Sequence, residues 1–481
     1  ATITEATSPA FDAAGDSIVV SGSGDYELNI DDVVVGAAAN TAAVATVINA
    51  ADHTGALTLD LGTLDGTALE NNASNWTGVD VIKAGLTGSN QIENIQAGTS
   101  VEVVSVNTAG ASGDDLLITS KGTGTSDSVT VSFNTATAGT SIFMDVLTTT
   151  GVESITLNST GADKAATSTA AASVIANTVD AISTTTVGTT LTVSGDKKLT
   201  INSVDAQVAT VTVTNTVGSD LTFADGGNTS YTGGAGVDKV TFGTEAQLTA
   251  ADSIAGGLGE DTIEFSEDPV ALTADAIAAI SGFEILAYNA SSSDIGAAIA
   301  VDLTALTGIN ELHISDLVTA TGSKTLTITG NDGMTLRLEE VASAATTNID
   351  VVIANAGDAG TNNILNLELS NFDDATASDA TGVSNDGFQV DNVENINIAM
   401  LGDEAAPASG TSDVDFVTLD DIDGAQLQKI VLTSANTGTV VSTGAALASD
   451  SLDIKALETT ILSEFDASAM TGALDIADIA G

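Results

Sequence analysis

Apolar and polar positions alternate along most of this chain with a period of two. The pattern is clear in Ser17-Ile18-Val19-Val20-Ser21 and in Tyr26-Glu27-Leu28-Asn29-Ile30, which a Gly/Ser/Asp turn separates. It returns from Leu57 to Ile95, and between Val193 and Phe223 the text is almost pure strand: Leu199-Thr200-Ile201, Val208 to Thr214, then Leu221-Thr222-Phe223. Threonine alternating with β-branched apolar residues suits a sheet with one dry and one wet face. Helical spacing is rare. Val44, Val47 and Ile48 in an Ala-rich run predict a short helix over Asn40 to Ala51, with Asn40 as its cap. Ser168 to Ile182 and Leu272 to Ile280 read as two more brief helices, the second capped by Thr273.

A second pattern repeats on a longer scale. An apolar-Glu-x-apolar unit recurs at Ile92-Glu93-Asn94-Ile95, Val152-Glu153-Ser154-Ile155, Phe283-Glu284-Ile285-Leu286, Val393-Glu394-Asn395-Ile396 and, with one extra residue, around Leu457-Glu458. Thr190-Leu191-Thr192-Val193-Ser194-Gly195 follows Glu153 much as Thr325-Leu326-Thr327-Ile328-Thr329-Gly330 follows Glu284. Irregular large repeats of short strands predict successive windings of a solenoid. The fold class expected is therefore mainly β, with parallel β-solenoid or β-roll segments and short helical insertions. The repeated glutamate recurs too evenly for one active site and is expected at a solvated strand position. Three regions follow: a strand-rich region over 1–100, a solenoid over 101–281 and a second, acidic repeat block over 282–481.

Composition narrows the function classes. Sixty-five acids against ten bases leave a formal net charge of −55, yet 43% of residues are hydrophobic, so the chain has a core to bury. Such a polyanion repels nucleic acid and anionic lipid headgroups, and no run of apolar residues is long enough for a membrane-spanning helix. No cysteine is present, which excludes disulfide staples and thiol chemistry. Together with the other features this fits an exported bacterial protein stabilised by a metal ion instead of by oxidation. The opening Ala1-Thr2-Ile3-Thr4 suits a processed terminus. His53 and His313 are the only histidines, and no zinc-protease, nucleophile-elbow or phosphate-loop motif occurs. Fifteen aromatics offer few sugar platforms. The chain is expected not to be an enzyme.

The sharpest chemical signal lies mid-chain. Gly233-Gly234-Ala235-Gly236-Val237-Asp238-Lys239-Val240-Thr241 and Gly256-Gly257-Leu258-Gly259-Glu260-Asp261-Thr262-Ile263-Glu264 both fit G-G-x-G-x-D-x-U-x, with U a large apolar residue. That string is the repeat of calcium-binding parallel β-rolls. Its glycines permit turns that aim carbonyls inward, and its aspartate adds a hard charged oxygen, as calcium (Ca2+) requires. Asp238 and Asp261 are the expected side-chain ligands; the competing reading is an aspartate that only caps its turn. Gly110 to Leu117 is an imperfect copy in which Asp115 reads equally as a calcium ligand or a plain turn residue. In Gly122 to Val129 the plain turn is favoured for Asp127. Gly78 to Ile82 looks like the tail of a decayed copy. The acids between Thr361 and Asp423 read as a charged face, and the missing first ligand at Leu419 rejects an EF-hand there.

These pieces resemble the calcium-dependent, RTX-type surface-layer proteins of Gram-negative bacteria. The resemblance rests on Thr232 to Asp238, the second turn, Gly282 to Leu286, Phe465 to Gly472 and the cysteine-free acidic composition; about 60 residues around the nonapeptides are specific. It implies a secreted β-solenoid on the bacterial cell surface that pairs with copies of itself in a two-dimensional lattice ordered by calcium. Outer-membrane lipopolysaccharide is the anchor such layers imply. It also implies that the carbonyls of Gly233, Ala235, Gly256 and Leu258 complete the calcium turns. Here the repeats sit mid-chain and not near the C-terminus, and no separate helical anchoring domain is evident. The alternative expectation is an RTX-like calcium-binding adhesin, or the binding portion of a secreted hydrolase.

Overall fold

The computed structural model describes residues 2–4, 17–29, 47–64, 67–106, 114–122, 124–135, 137–166, 172–224, 227–289, 299–315, 324–339, 347–353, 363–370, 383–385, 387–401, 416–419, 422–434, 451–454, 457–459, 461–470, 473–476 and 479–480. It is mainly β, and its sheets are built from parallel strands, as the alternating pattern predicts. The chain divides into two compact units, one formed by Ala1–Thr241 with Ala251–Glu260 and the other by Phe242–Ala250 with Asp261–Gly481.

In the first unit consecutive strands alternate between two sheets. Ser100–Val106, Ser128–Phe133, Ser154–Ser159, Thr189–Gly195, Val208–Val213, Ser230–Thr232 and Ser253–Ala255 are neighbours in one sheet. Ser89–Ile95, Asp115–Ser120, Phe143–Thr150, Ala176–Thr184, Lys198–Val204 and Ser219–Phe223 are neighbours in the other. Parallel partners need a crossover, and here the crossover is itself a strand of the facing sheet. The result is a coil, a β-solenoid. Winding length varies while pairing does not. Val193 pairs with Val213, an advance of 213 − 193 = 20 residues, whereas Leu157 pairs with Val193, an advance of 193 − 157 = 36.

Period-two alternation places one residue in two inside the coil, where it stacks on its equivalent in the next winding. Val129, Ile155, Leu191, Val211, Tyr231 and Ile254 form one such buried ladder. The second unit repeats the device: Ile263, Leu286, Leu312, Leu336, Leu367, Ile398 and Leu432 stack in register and are all buried. Beside them run Phe265, Tyr288, Ile314, Leu338, Leu369 and Met400, with the Phe265 and Tyr288 rings 5.8 Å apart. Each fully buried side chain contributes roughly 1.5–3 kcal/mol, so the core is a series of small equal steps. From Ile299 onward the second unit adds a parallel sheet of seven strands, and from Val383 onward one of four.

Two of the three expected helices are corrected. Val47–His53 is a strand paired with Ser17–Gly22, its Ile48 and Ala50 buried and Asn49 exposed; residues 30–46 lie outside the described set. Ala176–Thr184 is a strand held on both sides, by Phe143–Thr150 and Lys198–Val204; residues 167–171 lie outside the described set. In both, pairing partners distant in sequence override the local preference of an Ala-rich run. The third helix forms at Ala274–Ala279, and Thr273 caps it by accepting a hydrogen bond from the Ala276 amide at 3.2 Å.

Candidate functional site

In the first unit the structure stacks the glycine turns of the two nonapeptides directly on one another. The Gly233 amide donates to the Ala255 carbonyl at 2.8 Å, and the Leu258 amide donates to the Gly234 carbonyl at 2.9 Å. The approach is close enough to require glycine. A Cβ on Gly233 would stand 1.6 Å from the Gly256 oxygen, and one on Gly257, whose φ is +109°, would stand 2.4 Å from the Gly234 oxygen. Ala235 and Leu258 face solvent at the outer rim of the corner.

Asp238 turns inward and is fully buried. One carboxylate oxygen accepts from the Ser219 amide and hydroxyl, both at 2.8 Å, and the other accepts from the Gly234 amide at 2.8 Å. Burial pushes its pKa up, these bonds pull it down, and the neighbouring Asp220 charge pushes it up again. A buried carboxylate repelled by a second one is a group whose charge a divalent cation relieves. A cation held here must also take its oxygens from three N–H and O–H donors.

Asp261, in the second unit, is buried and clamped to the next winding. Its amide donates to Glu284 Oε2 at 2.8 Å, while the amides of Glu284 and Ile285 donate back to its carbonyl at 3.1 Å. Asp115 is half-buried at the start of its strand and accepts from the Ser89 hydroxyl at 2.9 Å; residues 107–113, which hold its glycines, lie outside the described set. Among the described residues no group of three or more Asp, Glu, His or Cys side chains is arranged to hold a metal ion.

The Glu284 clamp is one of a series. Glu153 Oε2 accepts from the Asp127 amide at 2.8 Å, and the amides of Glu153 and Ser154 donate to the Asp127 carbonyl at 2.9 and 3.1 Å. Glu394 treats Asn363 in the same way, with distances of 2.9, 3.2 and 3.0 Å. At Glu153, Glu284 and Glu394 the repeated glutamate is therefore half-buried and bonded to the preceding winding, not merely solvated. Aspartates placed just before a strand do a related job. Asp80 accepts from the Leu57 amide at 2.8 Å, Asp114 from Gly88 at 2.7 Å, and Asp252 from Thr229 at 2.6 Å; Asp238 joins them through Ser219. These carboxylates supply acceptors to amides where the chain leaves one sheet and the ladder bonds stop. The signal was present in the sequence, as an acid one or two positions before each apolar run, but only stacked windings reveal its partner.

The first unit also has a cleft of about 540 Å³, lined among others by Asp60, Lys83, Gly85, Glu102, Asn134 and Thr140. The Lys83 ammonium lies 3.0 Å from Glu27 and 3.2 Å from Asp60, which hold its pKa above the usual lysine value, the Glu27 hydrogen bond most strongly. Glu102 accepts from the Asn134 side-chain amide at 2.9 Å. No protein-family model matches this chain, and no curated protein matches it either. No helix among the described residues is long and apolar enough to cross a membrane.

Proposed function

We propose that this chain is a structural, non-enzymatic subunit of the RTX surface-layer kind, which assembles with copies of itself on a bacterial cell exterior in the presence of calcium. The observation that carries the reading is the corner where Gly233 and Gly234 stack on Gly256 and Gly257 beside the buried Asp238. Asp238, with the backbone oxygens of Gly233, Ala235, Gly256 and Leu258 at that corner, would hold the ion. Calcium supplies positive charge to a carboxylate that burial and Asp220 disfavour, so metal binding adds to folding free energy. A coil with a net charge of −55 gains further from any divalent counter-ion. Outer-membrane lipopolysaccharide is the anchor this reading adopts.

Negative-stain imaging of the purified chain in CaCl2, in EGTA, and in NaCl of matched ionic strength tests the proposal. Ordered sheets in CaCl2 that dissolve in EGTA are expected. Sheets that persist in EGTA, or that NaCl alone restores, refute the calcium dependence. The cleft around Lys83 and Glu102 favours a second reading, a calcium-binding adhesin or the binding portion of a secreted hydrolase; a chain that stays monomeric in CaCl2 and retains a soluble glycan would select it.

A further inference from the structure

The outer face of one sheet in the first unit is set apart by what it lacks. Six successive strands, Ser128–Phe133, Ser154–Ser159, Thr189–Gly195, Val208–Val213, Ser230–Thr232 and Ser253–Ala255, contain no charged residue at all. In the facing sheet each of the five strands from Asp115–Ser120 to Ser219–Phe223 carries one: Asp115, Asp145, Asp180, Lys198 and Asp220. Earlier strands of the same sheet carry Glu27, Asp60, Lys83 and Glu102. In a chain with 65 acids, charge is missing from this stretch of this sheet alone among the faces of the coil just compared.

Hydroxyls and methyls stand in its place, in register. Ser128, Ser154, Thr190, Thr210, Ser230 and Ser253 form one outward column. Thr130, Thr156, Thr192, Thr212, Thr232 and Ala255 form the next, two residues along every strand. The pairing across Thr130, Thr156 and Thr192 runs without a bulge, although the winding between Leu157 and Val193 is the 36-residue one. The columns thus stay in register across the longest of these windings.

We propose that this uncharged hydroxyl face is where a second copy of the chain docks, two-fold symmetrically, face to face. The proposal builds on the self-assembling reading above. Two polyanions repel wherever their carboxylates meet, so close approach is favoured where neither copy presents any. A sheet face also has the repeat of its own copy by construction, which lets rows of Thr methyls interdigitate as identical side chains do between paired sheets. Six strands about 4.8 Å apart and some five residues of about 3.3 Å give a footprint of about 400 Å² per copy. That is about half of what a stable pair buries. Each contact is therefore weak alone and becomes effective when repeated across an array.

The absence of native cysteine makes a disulfide trap clean. Thr192→Cys, near the middle of the face, and Thr200→Cys, outward on the facing sheet, are introduced separately into the full chain and oxidised with diamide in EGTA. Dimer formation is followed on non-reducing gels. Thr192→Cys is expected to yield disulfide dimer about tenfold faster or more, and Thr156→Glu in the same chain is expected to abolish that advantage. Circular dichroism confirms that the variants remain folded. Equal rates at the two positions, or a rate indifferent to Thr156→Glu, overturn the proposal. Because the trap is run without calcium, it separates from the layer test: sheets without a preferred cross-link refute the docking face alone, and a preferred cross-link without sheets refutes only the layer.

Discussion

Glu153 offers the cleanest test of the winding clamps. Its carboxylate accepts a hydrogen bond from the amide of Asp127, a buried residue, at 2.8 Å. Glu153→Ala removes that acceptor and leaves the amide unsatisfied, at a cost of about 1–3 kcal/mol. Glu153→Gln keeps an oxygen within reach and loses only the charge-assisted part of the bond, about half of its strength. The difference between the two variants thus isolates the acceptor from the charge. Global unfolding is a poor readout, since long repeat arrays depart from two-state behaviour. Hydrogen exchange, followed by mass spectrometry on a peptide covering residues 124–131, reads the clamp locally. At about 1.4 kcal/mol per tenfold, the alanine variant should exchange there roughly 5- to 150-fold faster. The glutamine variant should stay within about fivefold of the parent. A peptide from the second unit, covering residues 364–370, should not change in either. Alanine and glutamine variants that exchange alike, or an alanine variant indistinguishable from the parent, would refute the assignment of these glutamates as clamps.

Two further outcomes follow from the turns. Gly195 and Gly188 both have positive φ, +106° and +81°, but a Cβ on Gly195 would lie 2.0 Å from the Ser159 oxygen while nothing stands within 4 Å of one on Gly188. Gly195→Ala should cost more than about 2 kcal/mol and Gly188→Ala only about 1–2, seen as loss of exchange protection in strands Ser154–Ser159 and Thr189–Gly195 for the first alone. In the second unit, burial raises the pKa of Glu267, and repulsion from Glu245 and Asp268 adds to it against the hydrogen bond from the Glu245 amide. A raised folded value means that the folded state holds the proton more tightly. Its stabilising contribution is complete below the ordinary glutamate range and is lost as pH rises through the folded value. Exchange protection of the segment from Glu245 to Ala279 should fall across that window, and Glu267→Gln, which keeps an acceptor for the Glu245 amide, should flatten the profile.

The strand pattern was legible in the sequence because it depends on a local property, alternation between a dry and a wet side. Val208 to Val213 or Leu199 to Ile201 needs no distant partner to declare itself. The coil was legible for the same reason, from the recurrence of similar blocks. What local text could not supply was which distant strand claims a segment. Val47–His53 and Ala176–Thr184 have the alanines of a helix, and only parallel neighbours about 20 to 35 residues away make them strands. The glycine turns were found through their spacing, and the structure does bring Gly233 and Gly256 together. What the spacing did not show is that Asp238, the expected calcium ligand, also receives three hydrogen bonds from protein donors, a partner set that depends on Ser219, nineteen residues earlier. The roles of Glu153, Glu284 and Glu394 were hidden for a like reason: the motif was visible, but its acceptor work lies across windings.

One property of the coil reaches beyond its own stability. The winding between Leu157 and Val193 holds 16 more residues than the one that follows, and the stacked side chains stay aligned. Foreign peptides grafted into that longer winding should accordingly leave the ladder beneath undisturbed, which makes the protein a natural display scaffold whose cargo length is decoupled from its core.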